Sequence, residues 1–205
     1  MKLLKNKIEI RNLSLSDNLE QVAELIYKTD PYIYPYWFKK FKDWKSVLVE
    51  QIKQEGSLFN FKNIIVALNE NNVVGILVAL NTQTDLSFDY NVLTKVNKNF
   101  SYTIKKYLNN IKDYIQDNTI YIPNICVDEK FRKQKVATNL IKFVKKKNPN
   151  KSLSLHCLSN NAPAVNLYLK SNFKIVGKQK GFNAPLKLKP KIYEMKFNKI
   201  KKNSL

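Results

Sequence analysis

Cysteine, histidine, glycine and arginine are all scarce in this sequence, and each shortage closes off a class of protein. Two cysteines, Cys126 and Cys157, are too few and too isolated for a disulfide framework or a zinc cluster. A single histidine, His156, argues against a histidine-based metal site, and no metal is expected. With Gly 4 and Pro 7, collagen-like and linker-dominated classes drop out. The same lack of glycine excludes a Walker-type phosphate loop and a dinucleotide fingerprint. No long apolar run occurs, and "MKLLKNKIEI" lacks the apolar stretch and cleavage site of a signal peptide. A cytoplasmic chain without membrane or metal partners is the expectation.

What is abundant is apolar residue and lysine. Hydrophobic residues make up 44% of 205 residues, enough for the core of one domain. The net charge is +20, yet the arginines are only Arg11 and Arg132. Arginine is the better reader of phosphates and bases, so specific nucleic-acid recognition is not expected. Lysine accompanied by much Asn, Ile, Tyr and Phe reads as an A/T-rich coding bias over a solvated surface.

Along the chain, "KIEIRNLSL" alternates as a strand, and "SDNLEQVAELIYKT" is a helix with Ser16 or Asp17 as N-cap. "DPYIYPYWF" reads as a proline-broken aromatic loop from Asp30 to Phe38. A second helix runs through "KDWKSVLVEQIKQ" and stops at Gly56, and "NIIVALNENNVVGILVAL" is a hairpin turning around Asn69 to Asn72. From about 90 to 117 apolar residues recur at helical intervals. Then come strand "TIYIPNICV", a helix from Arg132 to Lys147, strand "SLSLHCL" and a helix from Ala162 to Lys170. Two strands, "FKIVGKQKGF" and "KIYEMKFN", close the pattern before a frayed tail at 199–205. Strand–helix–strand predicts a parallel pair with a right-handed crossover.

The junction "NICVDEKFRKQKVATNLIKF" joins an apolar strand to a helix through a basic turn. A helix start exposes unpaired N–H groups and the positive end of its dipole, which together attract an anion. Arg132 adds a fork of donors suited to phosphate oxygens. Two blocks carry a family resemblance. "ICVDEKFRKQKVATNLI" matches R/Q-x-x-G-x-G/A at Arg132, Lys135 and Ala137. "LSLHCLSNNAPAVNLYLKSNFKIVG" matches N-x-x-A-x-x-L-Y-x-x-x-G-F through Asn161, Ala164, Leu167, Tyr168, Asn172 and Phe173. The chain so resembles the GNAT superfamily of acyl-CoA-dependent N-acetyltransferases, closely over about 119–177. Lys135 departs from the family's glycine, whose missing side chain lets the backbone approach a diphosphate. Asn172 replaces another glycine, a milder change, since Asn tolerates a left-handed cap.

The resemblance implies an α/β (α+β) fold, a central mixed, mostly antiparallel sheet with helices on both faces. It implies one domain over 1–205, with the acetyl-CoA-binding core at about 119–177 and a helical insertion at about 90–117. It implies acetyl transfer from acetyl-CoA to a primary amine, small molecule or peptide, by a monomer or homodimer. The pantetheine arm would pair with the strand at Ile125, Cys126 and Val127, mainly through the backbone of Ile125 and Val127. Pro123 would interrupt the ladder there, either as the family's bulge between splayed strands or as a simple irregularity. Arg132, Lys133, Gln134, Lys135, Val136 and Ala137 would surround the diphosphate; otherwise they are a solvated helix start. Asn161 would contact the arm, cap its helix, or both.

Tyr168 falls where the family places a tyrosine near the thioester sulfur, the alternative being a core tyrosine. No carboxylate stands near Tyr121, where some relatives hold a base, so none is assigned; a water chain could end at Asp30, Asp89 or Glu194. Cys126 and Cys157 read as small buried hydrophobes and His156 as structural. Tyr32, Tyr34, Tyr36 and Trp37 line an acceptor pocket or pack under a loop. Two rival functions stay open: a non-catalytic acyl-CoA binder and a basic RNA- or ribosome-associated protein.

Overall fold

The computed structural model describes residues 8–38, 42–82, 119–179 and 191–198. The helical segment expected at about 90–117, Asp89 and the tail at 199–205 lie outside the described residues. The strands are β1 (Ile8–Asn12), β2 (Ile64–Asn69), β3 (Asn72–Asn81), β4 (Thr119–Val127), β5 (Ser152–Leu158), β6 (Lys174–Gln179) and β7 (Ile192–Phe197). They form one sheet in the order β1-β2-β3-β4-β5-β7-β6. Every neighbouring pair is antiparallel except β4 and β5, the parallel pair predicted from the strand–helix–strand pattern. β2 and β3 meet in a two-residue turn in which Glu70 takes a positive φ of 56°.

The helices are α1 (Leu19–Tyr27), α2 (Ile33–Phe38), α3 (Trp44–Lys53), α4 (Val136–Lys147) and α5 (Ala162–Lys170). One face of the sheet is covered by α1, with α3 packed on it, over β3 and β4. The other is covered by α4 over β1 to β4, and by α5 beside β5. Two apolar clusters result, one per face: Val22, Ile26, Leu48, Ile52 and Ile76 on the α1 side, and Leu77, Leu140, Val144, Leu153 and Met195 on the α4 side. This is the expected mixed, mostly antiparallel sheet with helices on both faces.

Three local expectations change. The N-cap of α1 is Asn18, whose Oδ1 accepts from Gln21 N at 3.1 Å. Asp17 is drawn off by Arg11, which donates to both carboxylate oxygens at 2.7 and 2.8 Å. Residues 33–38, expected as loop, form α2. Asp30 Oδ1 accepts from the amides of Tyr32 and Ile33, both at 2.8 Å, and Pro35 sits in the first turn where no intrahelical N–H is needed. The basic helix starts at Val136 rather than Arg132. Residues 129–131 make one tight 3₁₀ turn, and Lys133 and Lys135 then take positive φ of 61° and 64°, a left-handed geometry that no α-helix accommodates.

Candidate active site

β4 is built in two parts. From Thr119 to Ile122 it is paired with both neighbours, to β3 and, in parallel register, to Ser152–Leu155 of β5. Beyond Ile122 the pairing with β5 ends, because β5 continues only against β7, with His156 opposite Glu194 and Leu158 opposite Ile192. A wedge therefore opens between β4 and β5. It opens at Pro123, which has no N–H to give to a ladder.

The proline also marks a bulge. Tyr121 faces Leu80 and Asn124 faces Val78, so Ala79 alone stands opposite Ile122 and Pro123. The extra residue reverses the alternation of side chains. Before it, Tyr121 lies on the α1 side and Ile120 and Ile122 on the α4 side; after it, Cys126 lies on the α1 side and Ile125 and Val127 on the α4 side.

Asp128 N donates to Val74 O at 2.9 Å, so that amide faces β3. Backbone groups alternate along a strand, and Cys126 therefore also faces β3 while Ile125 and Val127 present theirs to the wedge. Of the three residues expected on the arm, two offer a free strand edge, and Cys126 turns its thiol into the α1-side core.

At the end of this edge α4 begins. Asp128 caps the 3₁₀ turn by accepting from Lys130 N at 3.0 Å, and the left-handed Lys135 turns the chain into the helix. The first amide of α4 with a carbonyl partner is Asn139, bonded to Lys135 O at 2.9 Å. The amides of Val136, Ala137 and Thr138 are left pointing out of the helix start, a ready anion site. Lys133, Gln134 and Lys135 are exposed around it. Gln134 Nε2 donates to Lys130 O at 3.0 Å, and Arg132 Nε donates to Val127 O at 3.3 Å while its Nη1 lies 3.4 Å from Glu129 Oε1. Glycine is used once here with purpose. A Cβ on Gly75 of β3 would meet Val136 Cγ1 at 3.2 Å, so its bareness lets the helix start settle onto the sheet beside Val127.

Across the wedge stands α5. Asn161 caps it, accepting from Ala164 N at 3.2 Å, and remains exposed. The helix ends in a left-handed Asn172 (φ 63°), with Phe173 N bonded to Tyr168 O and Asn172 N to Leu169 O, each at 3.0 Å. That cap fixes Tyr168, whose ring lies edge-on to Phe173 at 5.8 Å. Tyr168 is 6% exposed, and its hydroxyl makes no hydrogen bond among the described residues. Burial, followed by the nearby Cys157 thiol and Tyr121 hydroxyl, holds its pKa well above the ordinary phenol range.

On the α1 side of the wedge lies a pair that sequence reasoning passed over. Tyr121 Oη is 3.0 Å from His156 Nδ1. Burial pushes the imidazole down to about 4, so His156 is neutral at physiological pH, and burial raises the Tyr121 phenol far above its usual range. The one available signal was that His156 is the lone histidine, two residues beyond the register partner of Tyr121. Nearby, Asn124 Nδ2 donates to Thr29 Oγ1 at 2.7 Å and to Tyr34 Oη at 3.0 Å, tying α2 to the strand at the bulge. Tyr34 is buried there, and Tyr32 is half-buried. The side chains of Tyr36 and Trp37 lie outside the described residues.

The remaining candidates fall outside the wedge. Asp30 is occupied as the cap of α2. The Glu194 carboxylate leans over Gly177, where a Cβ would come within 2.7 Å of its Oε2. Both cysteines are buried, and desolvation raises each thiol to about 11, so neither is an available nucleophile at neutral pH.

Comparison with known proteins agrees with this arrangement. Residues 28–173 match the acetyltransferase (GNAT) family. The N-alpha-acetyltransferase of Saccharolobus solfataricus is 27% identical over 179 residues, covering 85% of each chain. An N-acetyltransferase from Staphylococcus aureus Mu50 shares the fold with a TM-score of 0.67 at 20% identity, over 92% of this chain and 100% of that one. Arabidopsis thaliana NAA60, solved in complex with acetyl-CoA, does so with a TM-score of 0.56 at 18% identity, over 93% and 99%. The wedge in the sheet, the anion site at the head of α4 and the match over most of its length place this chain in the GNAT family of acetyltransferases, as an acyltransferase enzyme.

Proposed function

We propose that this enzyme transfers an acetyl group from acetyl-CoA to a primary amine, the α-amino group of a polypeptide N-terminus. The observation that carries the cofactor reading is the one-sided edge of β4, which ends beside the open amides of α4. An amide-bearing arm can add to such an edge as a strand would, with a diphosphate falling on the helix start. Ile125 and Val127 hold the arm, Lys133 to Ala137 take the diphosphate, and Arg132 moves from Val127 O to a phosphate. Asn161 meets the arm from α5 while its side chain caps that helix. The acceptor class is supported by the N-alpha-acetyltransferase relative.

Acetyl-CoA supplies the acyl group as a thioester. In the transfer an N–C bond forms, the C–S bond breaks, the amine loses a proton and the sulfur gains one. Tyr121 and His156 hold the water through which the amine's proton leaves. His156 is too weak a base to keep that proton, so it passes it outward. Tyr168 donates a hydrogen bond to the sulfur as negative charge gathers there. Its raised pKa makes full ionisation costly, so its part is charge stabilisation, and the proton on sulfur comes by way of solvent.

Calorimetric titration with acetyl-CoA, with free ATP for comparison, tests the cofactor reading: saturable micromolar binding that prefers acetyl-CoA is the expected result. A thiol-release assay with peptides carrying free or blocked N-termini tests the acceptor. Release that ignores the block excludes the α-amine, and binding without release from any amine excludes the enzyme reading. Replacing Tyr168 by Phe lowers kcat by roughly tenfold to a hundredfold, the loss of one hydrogen bond to a charged atom, with little change in acetyl-CoA affinity. Equal loss of both would remove Tyr168 from that role.

A further inference from the structure

The charge of this protein is unevenly divided. Between Glu129 and Glu194 the sequence contains no aspartate or glutamate, while it carries Arg132 and fifteen lysines. An A/T-rich coding bias favours lysine along the whole chain, so it does not explain why the acidic residues are confined to the rest of it. The other part of the chain contains all the acidic residues, and there three cations are paired: Arg11 with Asp17 and Glu9, Lys45 with Glu24, Lys62 with Glu55.

Part of this excess is arranged in a line. Along α4 the buried residues are Val136, Leu140, Ile141 and Val144, all turned to the sheet. On the opposite side Lys135, Asn139, Lys142 and Lys146 are exposed, at spacings of four, three and four residues, which on a helix is a single stripe. It spans roughly 16 Å at about 1.5 Å per residue. Among the described residues neither Lys142 nor Lys146 has an ion-pair partner. Both lie beyond the first turn of α4, the part that forms the anion site.

We propose that the outer face of α4 docks on the phosphate backbone of a nucleic-acid duplex, without reading its sequence. A rigid row of lysines supplies point charges that suit phosphates, and it lacks the arginine forks that read bases. The stripe holds no exposed apolar side chain; Leu15, Leu169, Ile175 and Val176, the exposed large apolar residues among the described ones, lie outside α4. A bilayer surface, which rewards an apolar anchor, fits it less well. Lys135, at one end of the stripe, belongs to the acetyl-transfer site; Lys142 and Lys146 lie apart from it, and the proposal rests on those two and stands or falls independently of acetyl transfer.

Fluorescence anisotropy of labelled RNA and DNA duplexes of mixed sequence, measured at increasing salt, tests the proposal. The full chain binds both with affinity falling steeply with salt. The double variant K142Q/K146Q binds at least tenfold more weakly at low salt, and its log–log salt slope is shallower by about 2, one for each lost phosphate contact. Its acetyl-CoA turnover is unchanged. The control K45Q/K62Q removes the same charge from paired lysines and keeps the wild-type slope. The proposal is overturned if the control loses as much as the stripe variant, which would show bulk charge alone. It is equally overturned if saturating acetyl-CoA displaces the duplex completely, placing the duplex at the helix start, or if phosphatidylserine vesicles bind through the stripe and duplexes do not.

Discussion

The two halves of β4 have similar composition and opposite duties. Thr119–Ile122 is enclosed, with a strand on either side and side chains no more than 4% exposed. Pro123–Val127 keeps β3 on one side and, among the described residues, pairs with no strand on the other, and its side chains alternate between buried and half-buried. The first half serves as scaffold, because it is flanked by β3 and β5 on its two sides. The second half presents the backbone groups of Ile125 and Val127 on an edge that no described strand pairs, with Val127 O taken by Arg132, and it is held in place by β3 and by the first half. An edge inside a sheet would invite aggregation if it were long and flat. Here it is short, bulged and recessed between α4 and α5, which suits it to a ligand that imitates a strand.

The sharpest way to break this comparison is to remove equal side chains from the two halves. Ile122→Ala, from a residue 2% exposed in the α4-side core, should cost about 3 kcal/mol in urea unfolding, within the range for large-to-small core changes. Ile125→Ala, from a half-buried position, should cost less than half as much. Equal costs would mean that the open half is as much a part of the core as the closed one.

The open half also shelters a titrating group. His156 is depressed to about 4 in the folded protein, against about 6.5 when unfolded. The unfolded chain therefore binds the extra proton first, so stability is full above about pH 6.5 and declines as pH falls toward about 4. The decline attributable to this residue is about 3 kcal/mol across that window. His156→Gln should flatten it while leaving unfolding at pH 8 nearly unaltered. A wild-type profile already flat between pH 7 and 4 would place the imidazole in water.

The smallest effect sharpens the comparison at the head of α4. Lys135 holds a left-handed conformation that glycine adopts without strain, so Lys135→Gly should raise stability by about 0.5 kcal/mol. Acetyl-CoA affinity should hold or tighten. A marked loss of affinity would show that the lysine ammonium itself meets phosphate.

Much of this was legible in the linear chain. Apolar runs in "NIIVAL" and "VVGILVAL", helical spacing in "LEQVAELI" and the strand–helix–strand order placed the hairpin, α1 and the parallel pair. The hairpin and α1 rest on contacts between residues close in the chain, and the parallel pair on the order of neighbouring elements. Pro123 marked the bulge, since a missing N–H is a property of one residue. The misplaced features were those decided by competition. Asp17 and Asn18 are both good caps, and only the approach of Arg11 from β1 chose between them. Asp30 could close a loop or open a helix, and the burial of Tyr34 against Phe59 and Asn124 settled it as α2.

The site divides in the same way. By itself the sequence determined the two blocks around Arg132 and Tyr168, and with them the family, because those signals are carried by residue type and spacing; it placed the start of α4 at Arg132 rather than Val136. It did not determine that β4 and β5 part after Ile122, nor that a bulge turns Ile125 and Val127 to the α4 side. Nor did it determine that Tyr121 and His156, thirty-five positions apart, share a hydrogen bond. Those outcomes depend on register between strands distant in the chain, and register is a property of the whole sheet. No window of sequence contains it.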